Sequence, residues 1–115
     1  MATLPEYKRP PGPPDFEATV FAIATGDGGR KHPFVSGYRA CHDLGLGELN
    51  DAQHEYPDGP VAPGSSGRAL LWLLAPERQA GRLLVGLEFT VQEGRRHVGR
   101  GRITRILNAD LERPG

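Results

Sequence analysis

The sequence predicts a small all-β domain, a barrel or sandwich of six short strands. Three observations carry this. Glycine and proline number 16 and 11 of 115 residues, so turns punctuate the whole chain. The most apolar stretch, Arg68 to Leu74, is of strand length and lies between Pro63-Gly64 and Pro76. No amphipathic pattern runs longer than a helical turn or two. Leu, Ile, Val and Phe make up 26 of 115 residues, just above the roughly 20% below which chains stay disordered. The core is therefore modest, and the length fits one domain.

Taken in order, the chain opens on a proline-rich stretch. Five of eleven prolines fall within the first fourteen residues. Lys8-Arg9-Pro10-Pro11-Gly12-Pro13-Pro14 suits neither a helix nor a central strand, so residues 1–14 read as an extended, flexible tail. The ordered domain is expected over residues 15–109, with 110–115 a second flexible tail. Phe16 to Thr25 is rich in β-formers and stops at Gly26-Asp27-Gly28-Gly29, a strand entering a turn. Weaker strands are expected at Tyr38 to Leu44 and around Leu49 to Tyr56. Arg68 to Leu74 is the fourth. Leu87 to Gln92 and His97 to Leu107 flank Glu93-Gly94-Arg95-Arg96, where a Gly94-Arg95 loop suits a type II′ hairpin. Pro76 to Gly86 has room for one helical turn.

The charges balance at 14 basic and 14 acidic residues, which excludes a strongly basic nucleic-acid sleeve. The balance conceals an asymmetry. Residues 40–67 carry Asp43, Glu48, Asp51, Glu55 and Asp58 with no Lys or Arg, while residues 68–115 carry nine Arg against five acids. Such runs are commonly solvated faces, and they also form two-signed surfaces that select a partner.

Motifs for chemistry are absent. There is no phosphate-binding loop and no dinucleotide fingerprint. The histidines and Cys41 lack zinc-ligand spacing, so no metal or other cofactor is expected. Cys41-His42-Asp43 has the residue types of a thiol catalyst, but neighbours on a strand point to opposite faces, so Cys41 and His42 would not meet. The chain reads as a non-enzyme. One cysteine precludes an internal disulfide. Without a signal peptide or a membrane-length apolar run, a cytoplasmic location and no membrane contact are expected.

Asp27-Gly28-Gly29-Arg30-Lys31-His32-Pro33-Phe34-Val35-Ser36-Gly37-Tyr38-Arg39 is the most specific stretch. It closely resembles the glycine-glycine-arginine, proline-phenylalanine, glycine-tyrosine-arginine signature of the third, C-terminal domain of elongation factor Tu. Asp15-Phe16-Glu17-Ala18 looks like that domain's opening strand. Ala62-Pro63-Gly64 through Pro76 matches its proline-glycine to proline strand, and Glu93 to Gly101 resembles its closing hairpin. The resemblance spans about residues 15–107. It implies a six-stranded antiparallel β-barrel and a bacterial, translation-linked setting. The family's GTPase belongs to its first domain, whose motifs are missing, so this chain is expected to be a stand-alone third domain that binds no GTP.

In the family this domain packs on the GTPase domain and contacts aminoacyl-tRNA and the exchange factor. Arg95 replaces a glycine of the closing hairpin, which would aid phosphate contact. Ala75 replaces a lysine, and the acidic 43–58 region replaces a threonine-rich segment, which would oppose it. tRNA binding is thus expected to be weakened. If retained, it would use Glu93, Gly94, Arg95, Arg96, Arg100 and Arg102. The Arg100 and Arg102 positions, Ala and Val in the family, share a face with Val98, Thr104 and Ile106 by two-residue alternation. That face is either merely solvated or a basic patch.

The departures also suggest an unidentified protein partner or self-association. Arg68, Leu70 and Trp72 stand where the family has Thr, Thr and Glu on the outward face of the fourth strand. Two readings stand: the 76–86 loop folds over Leu70 and Trp72, or the pair anchors a partner. Gly28, Gly29, Arg30, Tyr38 and Arg39 complete the protein-interface candidates.

Overall fold

A computed structural model describes residues 7–45 and 47–114. The first six residues of the expected N-terminal tail and Gly115 lie outside the described residues. Six strands form: β1 (Phe16–Ala22), β2 (Arg39–Asp43), β3 (Leu49–Glu55), β4 (Ser66–Leu73), β5 (Glu88–Glu93) and β6 (Arg96–Ile106). They close a barrel in the order β1-β4-β3-β2-β5-β6, every pairing antiparallel. The all-β, six-stranded antiparallel barrel is thus as expected. Closure removes every free sheet edge.

Alternation builds the interior. Phe16, Ala18, Val20 and Ala22 of β1 and Ala69, Leu71 and Leu73 of β4 are buried, as a two-residue period requires. Small residues on adjoining strands leave space for Phe89, whose ring meets Phe16 edge-on at 5.9 Å. Each fully buried Leu or Phe contributes roughly 1.5–3 kcal/mol.

The two ends are sealed differently. At the upper end, Phe34 exchanges backbone hydrogen bonds with Val61 and stacks on Tyr38 at 4.7 Å between centroids. At the lower end, the β4–β5 connection makes a 3-10 turn at Pro76–Gln79, and its Leu83 N–H donates to the Leu111 carbonyl at 2.8 Å. Gln79 is buried there and donates to Asn50 Oδ1 at 2.7 Å.

Three expectations need correction, and one open alternative is decided. Residues 110–113 are not a free tail: Leu111 is 1% exposed within the core, in a 3-10 turn at Ala109–Leu111. Residues 7–14 are not free either, since they lie against β3 and β4. Of the two readings left open for Trp72, neither is met as stated: the 76–86 loop bonds to residues 110–111 at the lower end, and Arg9 and Gly12 lie on the indole. Finally, the alternation along β6 breaks twice. Opposite Val91 and Gln92 the register runs Gly99 then His97, skipping Val98. Opposite Glu17 and Ala18 it runs Arg105 then Ile103, skipping Thr104. These bulges turn Val98 and Ile106 toward the core while Arg100, Arg102 and Thr104 stay exposed.

Candidate functional site

The closing hairpin and the glycine-arginine signature, separated by more than fifty residues, meet at the upper end of the barrel. Glu93 and Arg96 are register partners, which leaves Gly94 and Arg95 as the two-residue loop. Gly94 takes φ +63°, the positive value such a turn needs. Arg30 Nε lies 2.9 Å from Glu93 Oε2, and the Tyr38 hydroxyl donates to the same oxygen at 2.6 Å. The Arg30 guanidinium also covers the Tyr38 ring, 4.8 Å from its centre. Burial and then the Glu93 hydrogen bond push the Tyr38 phenol well above its ordinary range, so it stays a donor. Arg96 donates through Nε to the Gly28 carbonyl at 2.8 Å and through Nη2 to the Gly29 carbonyl. Gly29 is obligatory: a Cβ there would fall 1.8 Å from the Ile23 carbonyl oxygen. Gly28, Gly29, Arg30, Tyr38, Glu93 and Arg96 therefore form one lock whose polar groups bond one another. Arg39 at the start of β2 and Arg95 at the hairpin tip remain exposed and make no ion pair among the described residues.

The fourth-strand candidates are also engaged. Arg68 sits 3.2 Å from Asp58 and 3.7 Å from Glu17. Leu70 is half-buried. Trp72 faces outward as the alternation requires, yet it is only 7% exposed, because residues 9–12 cover it. It is not the open patch expected for a partner anchor.

Open surface lies instead over β1, β6 and β5. A cleft of about 700 Å³ is lined there by Thr19, Phe21, Glu88, Thr90, Arg100 and Arg102, together with Asp43 of β2. Register explains the grouping. Arg100 stands between Phe21 and Thr90, and Arg102 between Thr19 and Glu88. The Arg100 guanidinium lies 4.7 Å from the centre of the Phe21 ring. Neither arginine makes an ion pair among the described residues. The cleft joins an aromatic face, two cations and the carboxylates of Glu88 and Asp43, a lining of mixed sign. It can seat a chain segment carrying an apolar group beside an acid. Phe21 is not among the residues the sequence motifs point to, although alternation from Phe16 puts it outward.

Inside the barrel, sequence reading missed a polar chain. His42 Nδ1 lies 3.1 Å from the Asn50 carbonyl, His42 Nε2 lies 2.7 Å from His54 Nε2, and His54 Nδ1 lies 2.6 Å from the Tyr56 hydroxyl. A carbonyl only accepts, so His42 carries its proton on Nδ1. His54 must then donate from Nε2, and Tyr56 donates to His54 Nδ1. Both rings are neutral in this arrangement. Burial lowers the His42 pKa to about 4. It holds His54 well below its ordinary value too, and the neighbouring His42 adds to this. Cys41, by contrast, faces out and donates to Asp51 Oδ1 at 3.1 Å, a hydrogen bond that raises its pKa. Cys41 and His42 thus lie on opposite faces, as alternation requires. Among the described residues no group of three or more His, Cys, Asp or Glu is arranged to hold a metal ion.

No family model matches the chain.

Proposed function

We propose that the chain is a non-catalytic binding module that engages a protein partner through the cleft over β1, β6 and β5. The observation carrying this reading is the pair Arg100 and Arg102, without ion pairs among the described residues, beside the Phe21 ring. The other interface candidates are largely spent within the molecule: the signature residues on their own lock, Arg68 on two carboxylates, Trp72 under the N-terminal segment. Glu88 and Asp43 favour a polypeptide over a polyphosphate, because carboxylates beside a phosphate backbone cost binding energy. The resemblance to the third domain of elongation factor Tu supports a role linked to translation in the cytoplasm, without GTP and away from membranes. The test is capture from a lysate of the source cells by the parent and by an Arg100→Glu/Arg102→Glu variant, with ribonuclease present. A partner retained by the parent and lost by the variant is expected.

Arg95 favours a second reading. It stands exposed at the tip of the hairpin whose β6 strand carries Arg100 and Arg102, a basic line suited to weak RNA contact. Titration of tRNA at two salt concentrations tests it. Binding weaker than about 10⁻⁴ M, the weak end of non-specific nucleic-acid affinity, removes it.

A further inference from the structure

Trp72 is buried without belonging to the core cluster of the barrel. It projects outward from β4, opposite Gln53 of β3, and Glu55 lies two residues farther along β3. Residues 9–12 cover the indole, and the chain's own segment from Tyr7 to Gly12 lies along this face. Trp72 Nε1 donates to the Gly12 carbonyl at 3.2 Å, and Gln53 Nε2 reaches the Lys8 carbonyl at 3.5 Å. Arg9 lies over the indole, 5.5 Å from its centre, and donates to both carboxylate oxygens of Glu55 at 3.0 and 2.6 Å. The Tyr7 hydroxyl donates to Glu55 Oε1 at 2.7 Å. The Arg9 hydrogen bonds hold the Glu55 carboxyl below its ordinary range, against burial.

The chemistry of this face matches what covers it. Four of the seven residues from Lys8 to Pro14 are proline. The prolines lack N–H donors and keep the segment from extending a sheet as a strand would, so it offers chiefly carbonyls and its basic side chains. The face supplies two N–H donors, one indole and one carboxylate. An aromatic ring with a donor beside an acid is a general way to read proline-rich peptides carrying a basic residue. The segment is held by side-chain contacts and not by a ladder of backbone bonds, and Arg9 is more than half exposed. Contacts of that kind open at low cost.

We infer that the Trp72–Glu55 face of β3 and β4 is a binding site for a basic, proline-rich segment of another protein, with residues 7–14 as its occupant in cis. The tethered segment competes at high effective concentration, so the intact chain binds such a ligand weakly until the segment is displaced. The site shares no residue with the cleft over β1, β6 and β5 and stands whether or not that reading holds.

The test uses the full chain and a fluorescein-labelled peptide Lys-Arg-Pro-Pro-Gly-Pro-Pro, read by anisotropy. An Arg9→Ala variant loosens the cis segment and is expected to bind the peptide about two- to five-fold more tightly than the parent. Adding Glu55→Gln is expected to abolish the gain, and a peptide with Glu in place of Arg is expected to bind neither protein. Circular dichroism verifies that both variants keep the fold. No binding to Arg9→Ala at about 1 mM peptide, the scale of effective concentration for a short tether, would overturn the proposal. So would equal binding of the Glu peptide, or binding indifferent to Glu55→Gln. Sedimentation showing a concentration-dependent dimer that Glu55→Gln abolishes would make a second copy the occupant and would also overturn it.

Discussion

Acidification is expected to weaken the barrel from within. His42 and His54 are buried as a neutral, hydrogen-bonded pair, and burial lowers the His42 pKa from 6.5 to about 4. The unfolded chain therefore holds the proton more tightly than the folded one. Stability from this group is full above pH 6.5, falls as the pH drops below that value, and levels off below about 4. Linkage over this window gives a loss of about 2 kcal/mol between pH 7 and pH 5. His54 shifts in the same direction, and the first proton on the pair discourages the second. Glu55 has a lowered pKa, so its contribution is lost only as the pH falls through the ordinary carboxylate range and below, beneath the interval from pH 7 to pH 5. Urea unfolding followed by far-ultraviolet circular dichroism at the two pH values measures the change. A stability equal at both, within about 0.5 kcal/mol, would refute the reasoning, since a buried neutral imidazole cannot avoid this penalty.

Two further outcomes follow from packing. Leu111→Ala removes a side chain that is 1% exposed, so chemical denaturation is expected to show a loss of about 2–5 kcal/mol, where a flexible tail would show none. Gly101→Ala would place a Cβ 2.3 Å from Phe89 Cζ, and the strain of moving that ring is expected to cost about 1–3 kcal/mol by the same measurement.

Much of the fold was legible because its signals are local. Alternation in Phe16 to Ala22 and the Gly94-Arg95 turn needed only neighbouring residues. What stayed hidden depends on distant partners. The stretch Lys8 to Pro14 has no periodicity that could announce its docking on Trp72. Leu111 follows the last strand by only a few residues, and its burial depends on Leu83 across the lower end. The β6 bulges are invisible to a strict two-residue count, although the tight packing of Gly99 against Phe34 and Gly101 against Phe89 marks where the backbone approaches the core. His42 and His54 fell in the inward phase of their strands beside Ala40 and Ala52, a signal open to sequence reading but only pairwise in meaning. The sequence marks the signature residues only one by one. Their mutual bonding, which occupies Arg30, Tyr38 and Glu93 with one another, needed the closed barrel.

The proposed role of the cleft of Phe21, Arg100 and Arg102 in partner binding is decided by one experiment. The most direct measurement is the paired capture of partners by the parent and by the Arg100→Glu/Arg102→Glu variant under ribonuclease. A protein held by the parent and reduced at least tenfold by the double charge reversal, the scale of about 1.4 kcal/mol in binding, is the expected result. An identical set of partners at identical yield would contradict it.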